Sequence, residues 1–119
     1  MWNYPKTVWP YSPYVKSWDL LFCSWQIWIN PETWKLVEWW IEYETNQAIN
    51  NIKWVLEENG LDFNSVIKTT IFLSDMNNYS IVNEIYWKSF ISKPARSTVE
   101  VSKLPIWAMI EIEVIASFI

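Results

Sequence analysis

The sequence predicts an α+β domain, a single β-sheet with two helices packed on one of its faces. Three observations carry this. A long stretch near residues 41–59 and a shorter one near 77–90 have helical periodicity. Between them lies a β-branched run at 66–73. Two segments with a period of two close the chain. The order of strands, helix, strand, helix and two strands gives the layered α+β arrangement. The 119 residues fit a single domain spanning 1–119, and a hydrophobic share of 51% is enough for a core.

Each element has its own reason. The N-terminal part holds short extended pieces broken by Pro5, Pro10 and Pro13. A strand is expected at about residues 20–24, then a turn at 31–35 opened by Asn30-Pro31. In the first helix Ile41, Ala48, Ile49, Ile52, Val55 and Leu56 form one stripe, with Glu42, Asn46, Asn50 and Lys53 off it. Gly60 stops that helix. Ser74-Asp75 can cap the second helix, whose inner face is expected to hold Tyr79, Val82, Ile85, Tyr86 and Phe90. Pro94 breaks the chain before strands at about 95–101 and 109–117. Helices on one face leave the other face of the sheet bare, so assembly into an oligomer is expected to cover it.

Composition removes several function classes. The net charge is −4 with acids and bases interspersed, which gives no footprint for nucleic acid and no polybasic membrane patch. There is no histidine, which excludes the usual triads, and with a single cysteine a zinc site is not expected. Cys23 sits in an apolar run and reads as a core thiol. No run is long enough to span a membrane, and the first residues lack a signal-peptide pattern, so a soluble cytoplasmic protein is expected.

Eleven tryptophans stand beside one glycine, where average usage gives roughly 8 glycines for this length. Several tryptophans occupy positions where the backbone favours glycine. Trp34 closes the turn after Asn30-Pro31, Trp9 precedes Pro10, Trp18 precedes a strand, and Trp39-Trp40 precede a helix. Two readings account for this. One is a naturally tryptophan-rich protein. The other is a gene whose UGA triplets are read as glycine in its host and as tryptophan in this sequence. The position-specific misfits favour the second.

The last two strands carry the candidate chemistry. Alternation places Arg96, Thr98 and Glu100 on one face of the first, and Glu111 and Glu113 on one face of the second. Arginine grips a small carboxylate with two prongs. A partly buried glutamate positions water or accepts a proton. A structural ion pair between Arg96 and one glutamate is the alternative, and the pattern alone leaves both open.

The stretch Lys93-Pro94-Ala95-Arg96-Ser97-Thr98-Val99-Glu100-Val101 resembles the signature segment of the Rid family, also called YjgF, the reactive-intermediate imine deaminases. The resemblance runs through nearly the whole chain. Pro10-Tyr11-Ser12 resembles the family's Gly-Pro-Tyr-Ser entry, and Phe22-Cys23-Ser24-Trp25-Gln26-Ile27 its Val-Ser-Gly-Gln-Ile strand. Asn30-Pro31-Glu32-Thr33-Trp34 is similar to Asn-Pro-Glu-Thr-Gly. The run from Val66 to Leu73, Val82-Asn83-Glu84-Ile85-Tyr86, Leu104-Pro105 and Ile110-Glu111-Ile112-Glu113 continue it. Trp9, Trp18, Trp25, Trp28, Trp34, Trp39, Trp40, Trp54, Trp87 and Trp107 fall where this family carries, or often carries, glycine.

The resemblance implies a chorismate-mutase-like α+β subunit in a homotrimer with clefts between neighbours. It implies hydrolysis of 2-imino acids such as 2-iminobutanoate and 2-iminopropanoate to 2-oxo acids and ammonia, with no metal or organic cofactor. Carried over by position, Arg96 binds the substrate carboxylate and Glu111 orients or activates the water. Tyr11 and Ser24 line the cleft, Asn83 shapes it, and the Thr98 backbone contacts the ligand. Many relatives have cysteine at the Thr98 position. Tyr11, Ser24 and Asn83 also have structural readings, as an interface aromatic, a backbone-bonding serine and a helix-surface amide. Glu113 shares the face of Glu111, and family register favours Glu111. Lys68 and Glu100 read as structural or surface charges. Beside the deaminase stand a non-catalytic trimer that binds small carboxylates or a protein partner, and the nuclease or translation-inhibitor activity claimed for some relatives.

Overall fold

A computed structural model describes residues 13–26 and 41–119. Tyr11, the turn at 31–35 and Trp9, Trp28, Trp34, Trp39 and Trp40 lie outside the described residues. The order is β1 Tyr14–Ser17, β2 Leu20–Gln26, α1 Ile41–Glu58, β3 Val66–Leu73, α2 Tyr79–Ser89, β4 Ala95–Glu100 and β5 Ile110–Ser117. Single 3-10 turns precede β3, α2 and β5. Among the described residues no helix is long and apolar enough to cross a membrane.

The strands form one mixed sheet in the order β1-β2-β5-β3-β4. β4 runs parallel to β3, and every other neighbouring pair is antiparallel. α2 is the crossover between β3 and β4, which is what a parallel pair requires. Both helices cover the same face. Ile110, Ile112, Val114 and Ala116 of β5 point into the core with Leu21, Cys23, Ile71 and Leu73, and Ala48, Ile52, Val55 and Leu56 of α1 meet them. Tyr86 stacks on Phe90 at 4.3 Å, and Phe63 meets Phe90 edge-on at 5.0 Å. Burial pushes the Cys23 thiol up to about 12, as suits a core residue rather than a nucleophile.

The opposite face is uncovered among the described residues. Val15, Phe22, Ile67 and Val99 are exposed there, interspersed with Lys68, Thr70, Glu111 and Glu113. The expected α+β sheet with helices on one face is thus present.

One detail differs from the sequence expectation, and a second lies outside it. Tyr79 is the first residue of α2 and is exposed at the rim rather than buried on the inner face. A 3-10 turn capped by Asp75 precedes it, so the helix starts two residues later than expected and Tyr79 overhangs the sheet edge. Glu44, on the same stripe as Ile41 and Ala48, is buried. Its Oε1 accepts from the Met109 N–H at 2.8 Å, tying α1 to the start of β5. Burial raises its pKa to about 7.

The backbone bears on the tryptophans. Gly60 has φ +73° where it ends α1. Trp18 and Trp107 have φ 55° and 59°, the left-handed region that glycine enters without strain. Lys93 and Ile106 share that region at 57° and 49°. Trp18 and Trp107 are 92% and 85% exposed, so neither ring packs against the fold to offset its backbone cost. Trp54 and Trp87 sit inside helices, where the backbone makes no demand for glycine.

Candidate functional site

Arg96 is the centre of the site. It lies on β4, the outer strand among the described residues, opposite Thr69 of β3. Its side chain points to the helix face, toward the N-terminal half of α2. Nη1 donates to Asn83 Oδ1 at 2.7 Å, and Nη2 donates to the Tyr79 hydroxyl at 2.9 Å. The guanidinium lies 4.8 Å from the centre of the Tyr86 ring and 5.6 Å from that of Tyr79. Tyr86 is itself pinned, because its hydroxyl shares a hydrogen bond of 2.8 Å with Thr69 Oγ1. Asn83 and Tyr79 are four residues apart and so occupy one side of α2.

Thr98 follows two residues along the same face. Its Oγ1 is buried and has no hydrogen-bond partner among the described residues. Its backbone is available as well. The Val101 N–H donates to the Leu73 carbonyl at 2.8 Å, so by the period of two Ser97 and Val99 also bond β3. The N–H groups of Arg96, Thr98 and Glu100 therefore point out from the sheet, along an edge that no described strand pairs. Guanidinium, amide N–H and hydroxyl are all donors suited to an anion.

Glu111 is elsewhere. It pairs in register with Phe72 of β3 and points to the uncovered face, as does Glu113 opposite Thr70. Burial first, and then the charge of Glu113, raise the Glu111 pKa above the usual carboxylate range. Ser24 lies near this pair. The register of β2 on β5 shifts between Cys23 and Gln26, so Ser24 stands at an irregularity opposite Glu113. Its N–H donates to the Pro13 carbonyl at 3.0 Å.

Arg96, Asn83 and Thr98 are thus brought together, and Ser24, Glu111 and Glu113 form a second group on the opposite face. An ion pair of Arg96 with Glu111 or Glu113 within the chain is excluded by this placement. Lys68 is held by the Thr69 carbonyl, Thr70 and Ser97, and Glu100 accepts from the Met76 N–H, so both are structural charges. Tyr79 and Tyr86 are the site residues that sequence reasoning placed in the core. The available signal was the i, i+4 spacing of Tyr79 and Asn83.

The comparisons with known proteins agree on one family. The model of the family described as Endoribonuclease L-PSP matches residues 1–118. Reactive Intermediate Deaminase A of Arabidopsis thaliana is 44% identical over 95% of this chain and 61% of its own length. The 2-iminobutanoate/2-iminopropanoate deaminase of Mus musculus is 40% identical over 94% of this chain and 84% of its own. Among solved structures, a Rid family protein of Yersinia pestis is 48% identical, with a TM-score of 0.93 over 97% of this chain and 93% of its own. The fold is the chorismate-mutase-like one of the YjgF proteins, and the chain belongs to the Endoribonuclease L-PSP family, which includes the Rid deaminases.

Proposed function

We propose that the protein is an imine deaminase that hydrolyses small 2-imino acids, with 2-iminobutanoate and 2-iminopropanoate as substrates, to 2-oxo acids and ammonia. The observation that carries this is the guanidinium of Arg96, held by Asn83 and Tyr79 beside the outward N–H of Thr98. That set suits a carboxylate next to a reacting carbon. The names of the Arabidopsis and mouse relatives support the same reading.

The chemistry needs little more. Water adds to the C=N carbon, a proton moves to nitrogen, and the tetrahedral carbinolamine collapses to C=O and ammonia. Imines hydrolyse unaided, so orientation and electrostatics suffice. No metal or organic cofactor enters the scheme. Glu111 takes the proton from water and returns it to the departing nitrogen. A carboxyl whose proton affinity is raised by burial and by Glu113 is a better base than an exposed one.

One chain does not bring Glu111 to Arg96. The two occupy opposite faces, and β3 lies between their strands. We therefore place the cleft between copies, with the β4–α2 edge of one against the uncovered face of the next. Repetition of such a head-to-tail contact closes into a ring. A homotrimer is that ring, with Ser24 and Tyr11 as further cleft residues.

Release of 2-iminobutanoate in the presence of semicarbazide tests the function. The protein is expected to compete with the trap and reduce semicarbazone formation. Arg96→Lys is expected to lose most of that activity, because an ammonium does not reproduce the planar two-pronged grip. An inactive wild-type protein that still binds 2-oxobutanoate would favour the non-catalytic carboxylate binder instead.

A further inference from the structure

The Tyr79 hydroxyl takes no part in the chemical steps above, yet it touches the residue on which they depend. It accepts from Arg96 Nη2 at 2.9 Å, while Asn83 Oδ1 takes Nη1 at 2.7 Å. The neighbouring Asn83 side chain, and then the charge of Arg96, lower the pKa of the Tyr79 phenol. Asn83 and Tyr79 therefore hold Arg96 together from one side of α2. A lone hydrogen bond lets a guanidinium swing about its last bonds. Two acceptors on one helix, one on each terminal nitrogen, fix its plane and its rotation. Among the described residues, two of its five N–H donors are used in this way.

Among the described residues, burial does not explain the hydroxyl. Tyr79 is 38% exposed at the rim, so a phenylalanine there would have no buried polar group to lose. Tyr86, two turns along, differs because its hydroxyl is internal and committed to Thr69. The Tyr79 ring supplies a contact to the cation, but its hydroxyl alone fixes Nη2.

We infer that Tyr79 is a positioning residue. Its hydroxyl, with Asn83, holds the Arg96 guanidinium in one plane so that its other N–H groups meet the carboxylate of the substrate. This rests on the reading of Arg96 as the carboxylate ligand. The cost of losing the hydroxyl falls on binding rather than on the chemical step, because the carboxylate is gripped equally before and during water addition.

Tyr79→Phe tests this, since it keeps the ring and removes one oxygen. Its expected signature is a KM for 2-iminobutanoate raised about fivefold, with kcat changed less than about twofold. The affinity for 2-oxobutanoate, measured by calorimetry without turnover, should fall by the same factor. Nitrogen-15 spectra should show resolved, slowly rotating Arg96 Nη signals in the wild type that average in Tyr79→Phe. Unchanged Nη signals would overturn the inference. So would an unchanged or tighter affinity for 2-oxobutanoate, the latter making Tyr79 a competitor for the guanidinium. A wild type that binds no 2-oxobutanoate overturns it as well. Binding without imine hydrolysis would instead remove the deaminase reading and leave Tyr79 in its role.

Discussion

Arg96 and Glu111 project from opposite faces of one sheet. Arg96 stands beside Thr69 and reaches Asn83 on the helix side, while Glu111 stands beside Phe72 on the uncovered side. Two strand spacings, roughly 10 Å, also separate their strands. No rotamer change brings such a pair to one substrate. If both act, they act from different copies, and assembly becomes a condition of activity.

The protein is accordingly expected to be a trimer in solution, as measured by light scattering. Phe22 is 43% exposed on the uncovered face, so Phe22→Glu should leave the subunit folded. It should yield smaller species and cut imine hydrolysis by about tenfold or more, because a charge is then buried at the contact. A monomer with full turnover would remove the shared cleft.

Glu44 should make stability fall as pH rises. Its folded pKa is about 7 against an ordinary 4.5, so the folded state disfavours its ionised form. Below 4.5 the group is neutral in both states and costs nothing. The penalty develops between 4.5 and about 7 and is complete above that. Glu44→Gln keeps an acceptor for the Met109 N–H and removes the charge. It should be more stable than wild type at pH 8 by on the order of 3 kcal/mol and near wild type at pH 4.5, by chemical denaturation at each pH. A constant difference across that range would mean that Glu44 does not titrate there.

Trp18 and Trp107 hold positive φ with exposed side chains. Trp18→Gly and Trp107→Gly should each raise stability. The relieved strain of about 1–3 kcal/mol exceeds the roughly 0.5–1 kcal/mol lost to a freer unfolded chain. Intact mass of the protein from its native host decides whether glycine is the natural residue. A mass that matches eleven tryptophans would leave these as strained but genuine positions.

Much of this was legible in the sequence because it is local. The β-branched run fixed β3 at Val66–Leu73, and the apolar stripe fixed α1 to within a residue at its end. Period two placed Arg96 with Thr98, and Glu111 with Glu113. What one strand's alternation does not contain is how its faces match those of another. That depends on the pairing of Thr69 with Arg96 and of Phe72 with Glu111, which is non-local, so the split site appeared only with the register. Tyr79 was misplaced, and Glu44 went unnamed, for a related reason. Residue type marked Tyr79 as core and gave no sign that Glu44 is buried, while position on the helix decided both.

Mixing two inactive variants tests the central claim most directly. Arg96→Ala and Glu111→Ala should each lose imine hydrolysis. Unfolded together in equal amounts and reassembled, they should recover about a quarter of wild-type activity, since one cleft in four then joins an intact Arg96 to an intact Glu111 across copies. Recovery no greater than the sum of the parents, from a mixture shown to have exchanged subunits, would contradict a site shared between chains.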